Sequence, residues 1–175
     1  MAGYRKGVGV VLVEDECRIQ REANAKQVWY PKGQQPEIRI DQKREGKSYY
    51  GALNVTTGKC HLMEFERQVS RNTVQFLKGL EKAYKGKKVL LIWDGAPWHR
   101  GEVKKYLKQK HKKFQLRIEY FPPYWPKLNP QERVWKEAKQ HACHNNEQSF
   151  EDKLLNFWKY ITQTTFKTNF LTKYA

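Results

Sequence analysis

The 175-residue chain reads as one α/β domain, a mixed five-stranded sheet with helices on both faces. Three observations predict it. The runs Gly7–Val13 and Val89–Trp93 are almost continuously apolar, as strands buried on both faces are. Two further β-rich runs, Ser48–Asn54 and Lys59–Phe65, flank the short connection Thr56-Thr57-Gly58, which is a hairpin signal. From Ser70 onward, segments of helical period alternate with strands, and that order requires parallel neighbours joined by crossovers.

Taken in order, GVGVVLV (Gly7–Val13) is the first strand, expected to end at Glu14-Asp15-Glu16, where an apolar run meets solvent. Residues Arg18–Lys47 are polar, basic and punctuated by Pro31, Gly33, Pro36 and Gly46. They read as an irregular excursion or edge hairpin near the mouth of a site, with Trp29 and Tyr30 before a turn and a short strand at Glu37–Ile40. After the hairpin, Ser70–Tyr84 is a helix: Ser70 suits the N-cap, and Val74, Leu77, Leu80 and Tyr84 recur at helical spacing. Lys85-Gly86-Lys87-Lys88 ends it and leads into Val89–Trp93. A Lys-rich helix is expected from His99 to Lys112, and Gln115–Phe121 alternates as the fifth strand. Helices at Pro130–Ala142 and Ser149–Gln163 complete the order, and the tail Thr164–Ala175 carries no clear period.

The length suits one domain with a real core. No apolar run is long enough to span a membrane, and the N-terminus lacks the apolar core of a secretory signal, so the expected location is the cytoplasm. Cys17, Cys60 and Cys143 are odd in number and far apart, as free thiols in a reducing compartment are. His141-Ala142-Cys143-His144 lacks a second ligand pair at finger-like spacing and is not read as a structural zinc site. The charge is the loudest signal: 34 Lys+Arg against 18 Asp+Glu, a net +16. Such an excess is most easily explained by a polyanionic partner, and 14% aromatics add surfaces on which bases can stack.

Against that background the acids stand out. In sheets of this kind ligands bind beyond the carboxyl ends of parallel strands, and Asp15 and Asp94 both lie at such ends. If the first and fourth strands are parallel neighbours, the two carboxylates sit side by side and repel. That arrangement makes sense chiefly with hard divalent cations between them. Glu132 falls in Asn129-Pro130-Gln131-Glu132, which by itself is a good capping box, and Asp94-Gly95 is equally readable as a turn. On these residues alone both readings stand.

The segments WDGAPWH (Trp93–His99) and FPPYWPKLNPQERVWKEAK (Phe121–Lys139) resemble the second and third catalytic blocks of the mariner-superfamily transposases, in particular their bacterial insertion-sequence branch. LVEDEC (Leu12–Cys17) resembles the first block, and VWYPKGQQP (Val28–Pro36) is similar to the segment that follows it. The resemblance implies a ribonuclease-H-like fold and an acidic triad of Asp15, Asp94 and Glu132 that holds two Mg²⁺ or Mn²⁺ ions. Glu132 follows Asp94 by 38 positions, close to the spacing usual in that superfamily. The implied activity is metal-dependent DNA strand cleavage followed by 3′-OH strand transfer, with transposon ends and target DNA as partners and a homodimer as the active form.

The resemblance also implies one catalytic domain over residues 1–175 without the helix-turn-helix module of the family, recognition then falling to a separate module or chain. Glu16, Trp98, His99 and Asn129 would support the acids from behind. Arg39, Lys43, Arg44, Lys47, Arg100, Lys104, Lys105, Lys108, Lys127 and Arg133 would contact phosphates, which positions DNA without reading its sequence. Gly95 stands where the family usually has Asn, Trp125 where a small residue is common, and Cys17 where Ser or Thr is frequent. Two other readings stay open: a nuclease of the same fold that hydrolyses without joining, and a non-catalytic nucleic-acid-binding domain whose acids are only turn and cap residues.

The charge generates a prediction of its own. DNA binding should be tight at low salt and weakly sequence-specific, and with about six phosphates neutralised, log K should fall against log[salt] with a slope of about −5. Fluorescence anisotropy on unrelated duplexes across a salt series checks this. A slope near zero, or strong preference for one duplex, contradicts it.

Overall fold

In the computed structural model, residues 9–21, 31–33, 45–110, 115–122, 129–142 and 148–168 are described. The spine of the molecule is β1 (Val10–Gln20), whose side chains alternate between two cores. Val10 and Leu12 face a core completed by α1 (Ser70–Ala83) and α2 (Glu102–Lys110), with Phe76, Leu77, Leu80, Val103 and Tyr106. Cys17 and Ile19 face the other, completed by α3 (Pro130–Ala142) and α4 (Phe150–Gln163), with Val134, Trp135, Phe157 and Ile161. Beside β1 lie β2 (Gly46–Asn54) and β3 (Cys60–Phe65) on one side, and β4 (Val89–Trp93) and β5 (Leu116–Tyr120) on the other.

The sheet order is β3-β2-β1-β4-β5. The pairs β1–β2 and β2–β3 are antiparallel, whereas β1–β4 and β4–β5 are parallel. The expected mixed sheet with helices on both faces is therefore what the chain forms. Among the described residues, no helix is long and apolar enough to cross a membrane.

Several boundaries differ from the sequence reading. β1 does not stop at Glu14-Asp15-Glu16 but runs through them to Gln20, because β2 keeps pairing with it from Leu12↔Asn54 to Gln20↔Gly46. Local polarity is overridden by a distant ladder. Ser70 is the first helical residue of α1 and not its cap: Val69 takes the cap position in extended conformation and supplies no side-chain acceptor. The segment at His99 is a separate 3-10 turn, Pro97–His99, led by Pro97. Gly101, at φ 58°, turns the chain before α2 begins at Glu102. By contrast α4 begins as its sequence suggests, with Ser149 Oγ accepting from the Asp152 N–H at 3.1 Å.

The expected strand at Glu37–Ile40, Trp29, Tyr30, Trp125, Lys112, Cys143 and His144 lie outside the described residues. Cys17 and Cys60 are free thiols. His141 stacks on Tyr160, with ring centroids 4.6 Å apart. Past α4 the chain folds back over the hairpin: the Phe166 N–H donates to the Gly58 carbonyl at 2.8 Å, and the Phe166 ring is buried in the α3/α4 core.

One glycine decides how closely α3 approaches the sheet. Gly51 of β2 lies directly across from Asp15 of β1. A Cβ at this position would sit 2.5 Å from Gln131 Nε2 and 2.7 Å from Trp135 Cζ2. Gly51→Ala should therefore cost about 1–3 kcal/mol through overpacking and shift the Trp135 environment, read by urea unfolding followed through tryptophan fluorescence. Gly95→Ala, where nothing lies within 4 Å, should stay within about 0.5 kcal/mol of the parent. Equal effects at the two glycines would refute this packing account.

Candidate active site

β1 and β4 run parallel only as far as the pair Val13↔Ile92. Two residues further along each strand come Asp15 and Asp94, so the register brings them level where the ladder has just opened. This is the carboxyl end of β4, the place where open α/β sheets bind ligands. The pleat sends Asp15 toward α3, and Trp135 Nε1 donates to its Oδ2 at 3.1 Å. Asp94 has a half-exposed carboxylate, whose Oδ1 accepts from the Ala96 N–H at 2.9 Å.

Glu132 is exposed on the first turn of α3. Asn129 starts that helix as a cap: its Oδ1 accepts from the Gln131 N–H at 3.0 Å, and its carbonyl accepts from the Glu132 N–H at 3.2 Å. Among the described residues no hydrogen bond returns from the Glu132 carboxylate, so capping accounts for the Asn and leaves the Glu available. Its charge reaches Asp15. Burial, together with Glu16, Asp94 and Glu132, pushes the Asp15 carboxyl up from 3.8 to about 7, against an opposing backbone hydrogen bond at Glu16.

Glu14 and Glu16 point to the opposite face. Glu16 Oε1 accepts from Trp98 Nε1 at 2.5 Å and lies 3.0 Å from His99 Nε2. His99 is 3% exposed and stacks on Trp93 at 4.1 Å. Its Nδ1 lies 3.0 Å from the Asp94 carbonyl, which can only accept, so Nδ1 carries a proton. Burial pulls the His99 imidazole down, but the hydrogen bond to Glu16, the Glu16 charge and the Asp94 backbone and carboxylate leave it above its usual value. Glu14 is buried beside this pair, and its carboxyl oxygens have no hydrogen-bond partner among the described residues; His99 Nε2 is 3.6 Å away. Burial and then the charges of Glu16, Asp15 and Asp94 push it well above the usual carboxylate range.

The other expected contacts divide. Arg100, Lys104, Lys105 and Lys108 are exposed on the segment that leaves the site through α2. Lys47 is ion-paired with Glu66 and Glu64, and Arg133 pairs with Glu137 at 2.6 Å. Arg39, Lys43, Arg44 and Lys127 lie outside the described residues.

The pattern of the DDE superfamily endonucleases matches residues 10–155, which includes every acid of this site. The chain belongs to this family. A protein of insertion element IS630 from Shigella sonnei, described as an uncharacterized 39 kDa protein, is 28% identical over 156 residues. The match takes in 88% of this chain and 45% of that protein, so the chain spans about half the length of its relative. The strand transfer complex of Mos1 is similar in structure, with a TM-score of 0.65 at 16% identity over 93% of this chain and 50% of that one. The Mg-containing paired end complex of mariner Mos1 gives 0.56 at 14% identity, over 96% and 60%. Likeness at such identities speaks for the fold, and the fold is the ribonuclease-H-like one expected from the sequence.

Within the DDE domain, three neighbours of the acids escaped the sequence reading. Trp135 and Gly51 act on Asp15 from other elements. The spacing Gln131, Trp135, Ala138, Ala142, a buried helical stripe, was the signal available for the first. Glu14 gave no signal, since nothing local distinguishes the buried acid in Glu14-Asp15-Glu16 from its neighbours.

The crowding has a pH signature. Asp15 holds its proton more tightly folded than unfolded, so its contribution to stability is fully present below pH 3.8 and lost as pH rises through about 7. Metal-free melting temperature should fall across that window, with Asp15 accounting for up to about 4 kcal/mol. Asp15→Asn has no proton to lose, so its melting temperature should exceed the parent's most at pH 8 and least at pH 4. Parallel pH profiles for the two proteins would contradict the assignment.

Proposed function

We propose that this domain is the catalytic part of a DNA transposase, with Asp15, Asp94 and Glu132 as the residues that hold divalent metal. The observation that carries the reading is the level placement of Asp15 and Asp94 at the opened end of the β1–β4 ladder, with the Glu132 charge acting on Asp15. The donor set fits the ion: three carboxylates offer only hard oxygen ligands, which suit Mg²⁺ or Mn²⁺. Burial and then the neighbouring carboxylates push Asp15 up, and the second of these is what a divalent cation relieves. Two such ions, when bound, would activate the attacking oxygen and stabilise the leaving one.

The chain's own residues do the rest. Trp135 fixes the Asp15 carboxylate, and the Ala96 N–H fixes that of Asp94. Glu132 projects from a helix start anchored by Asn129. Arg100, Lys104, Lys105 and Lys108 hold the phosphate backbone across the site, and the ion pairs at Lys47 and Arg133, being exposed and weak, can exchange for phosphate. Joining as well as cutting is supported by the insertion-element relative and by the strand transfer complex among the structural neighbours. We extend the reading to two copies acting together on DNA ends and to residues 1–175 as one catalytic domain. A DNA substrate in the nucleoid accords with the cytoplasmic location read from the sequence.

The test uses duplexes carrying the element's own end sequence with Mg²⁺ or Mn²⁺. The parent should nick them and join the 3′-OH end to a target plasmid. Asp94→Asn and Glu132→Gln should each lower both steps at least about a hundredfold, since each removes several kcal/mol of transition-state charge stabilisation. Nicks without joined product would favour the hydrolytic reading. Undiminished cutting by Asp94→Asn would remove the site assignment altogether.

A further inference from the structure

Past Val13↔Ile92 no backbone ladder ties β1 to the segment that carries Asp94. Yet Asp15 and Asp94 repel there, and the chain after Asp94 begins with Gly95, around which nothing lies within 4 Å. Asp94 lies one residue past Trp93, which is still paired with Tyr120 of β5, so on the β1 side it is held by side chains. The side chain that spans the gap is His99. One ring nitrogen donates to the Asp94 carbonyl at 3.0 Å and lies 3.3 Å from Asp94 Oδ1, and the other meets Glu16 Oε1 of β1 at 3.0 Å. The ring cannot tilt, being stacked on Trp93 with an interplanar angle of 7°. Glu16 cannot swing away, because Trp98 Nε1 donates to the same oxygen at 2.5 Å.

We propose that His99, held by Glu16 and Trp98, is a positioning residue: it replaces the missing ladder and sets the separation between the carboxylates of Asp15 and Asp94. The bridge acts by geometry. It fixes the backbone of Asp94 relative to the strand that carries Asp15. Gly95 offers no side chain there, and the bridge ties Asp94 back to β1.

This inference rests on the metal-holding role of Asp15, Asp94 and Glu132, and its test separates the two. Mn²⁺ binding to the purified protein is followed by loss of the free-ion electron paramagnetic resonance signal, alongside metal-free melting of each variant. The parent should bind and Asp94→Asn should not; failure of that pair would refute the metal site itself. Given it, His99→Ala, His99→Gln, which reaches Glu16 but not the Asp94 carbonyl, and Glu16→Ala should each weaken Mn²⁺ binding per folded molecule by about ten- to a hundredfold, the range typical of groups that orient metal ligands. Glu16→Gln keeps an oxygen acceptor for the indole, and its amide can accept from a protonated His99 Nε2 or donate to a neutral one, so it should stay within about threefold of the parent. If the His99 variants melt lower but bind Mn²⁺ as the parent does, the bridge is merely structural and the proposal is overturned. It is also overturned if Glu16→Gln is as weak as Glu16→Ala, because charge rather than geometry would then be at work. Should His99→Ala not fold, His99→Gln and Glu16→Ala decide.

Discussion

Mutual repulsion among carboxylates at the open end of one strand pair is the constraint to which the rest of the molecule answers. Asp15, Asp94 and Glu132 come from a strand, the end of a neighbouring strand and the start of a helix, and Glu14 and Glu16 add to the same field. Left alone, such a group would spread. What prevents it is a set of contacts: a tryptophan on Asp15, a backbone N–H on Asp94, and a histidine wedged between β1 and the residues after β4. Each is made by a group whose own position is fixed by burial in a core, so stiffness reaches the acids from the packed interior.

The placement of α3 illustrates the dependence. Trp135 reaches Asp15 only because β2 offers a glycine directly opposite that acid. The same indole stacks on Phe157 of α4, with centroids 6.0 Å apart. A chain of contacts thus runs from α4 through α3 to the carboxylate, and a bare hydrogen atom at Gly51 is what allows it to close.

How much of this the sequence disclosed varies with how local the physics is. Val89–Trp93 and Pro130–Ala142 were legible to the residue, because a continuous apolar run bounded by Lys and Asp, and an Asn-Pro start, are local signals. The extension of β1 to Gln20 was not, since only pairing with distant β2 keeps three acids in a strand. Likewise Val69 displaced Ser70 at the cap of α1, where its N–H donates to the hydroxyl of distant Tyr50 at 3.2 Å. Of the site, the acids were readable as residues, and their roles came through resemblance. Of the contacts that orient them, His99 was named through resemblance and Trp135 had only the buried stripe of α3 as a signal, while the approach of Gly51 is tertiary.

The alternation along β1 has a further consequence. Because Asp15 points into the α3/α4 half and Glu14 and Glu16 into the α1/α2 half, the acidic end of the strand is anchored in both layers of the protein at once. Local opening of either layer would leave the sheet standing and the acids unassembled. The acid cluster is thus assembled only when both halves have closed on the strand between them.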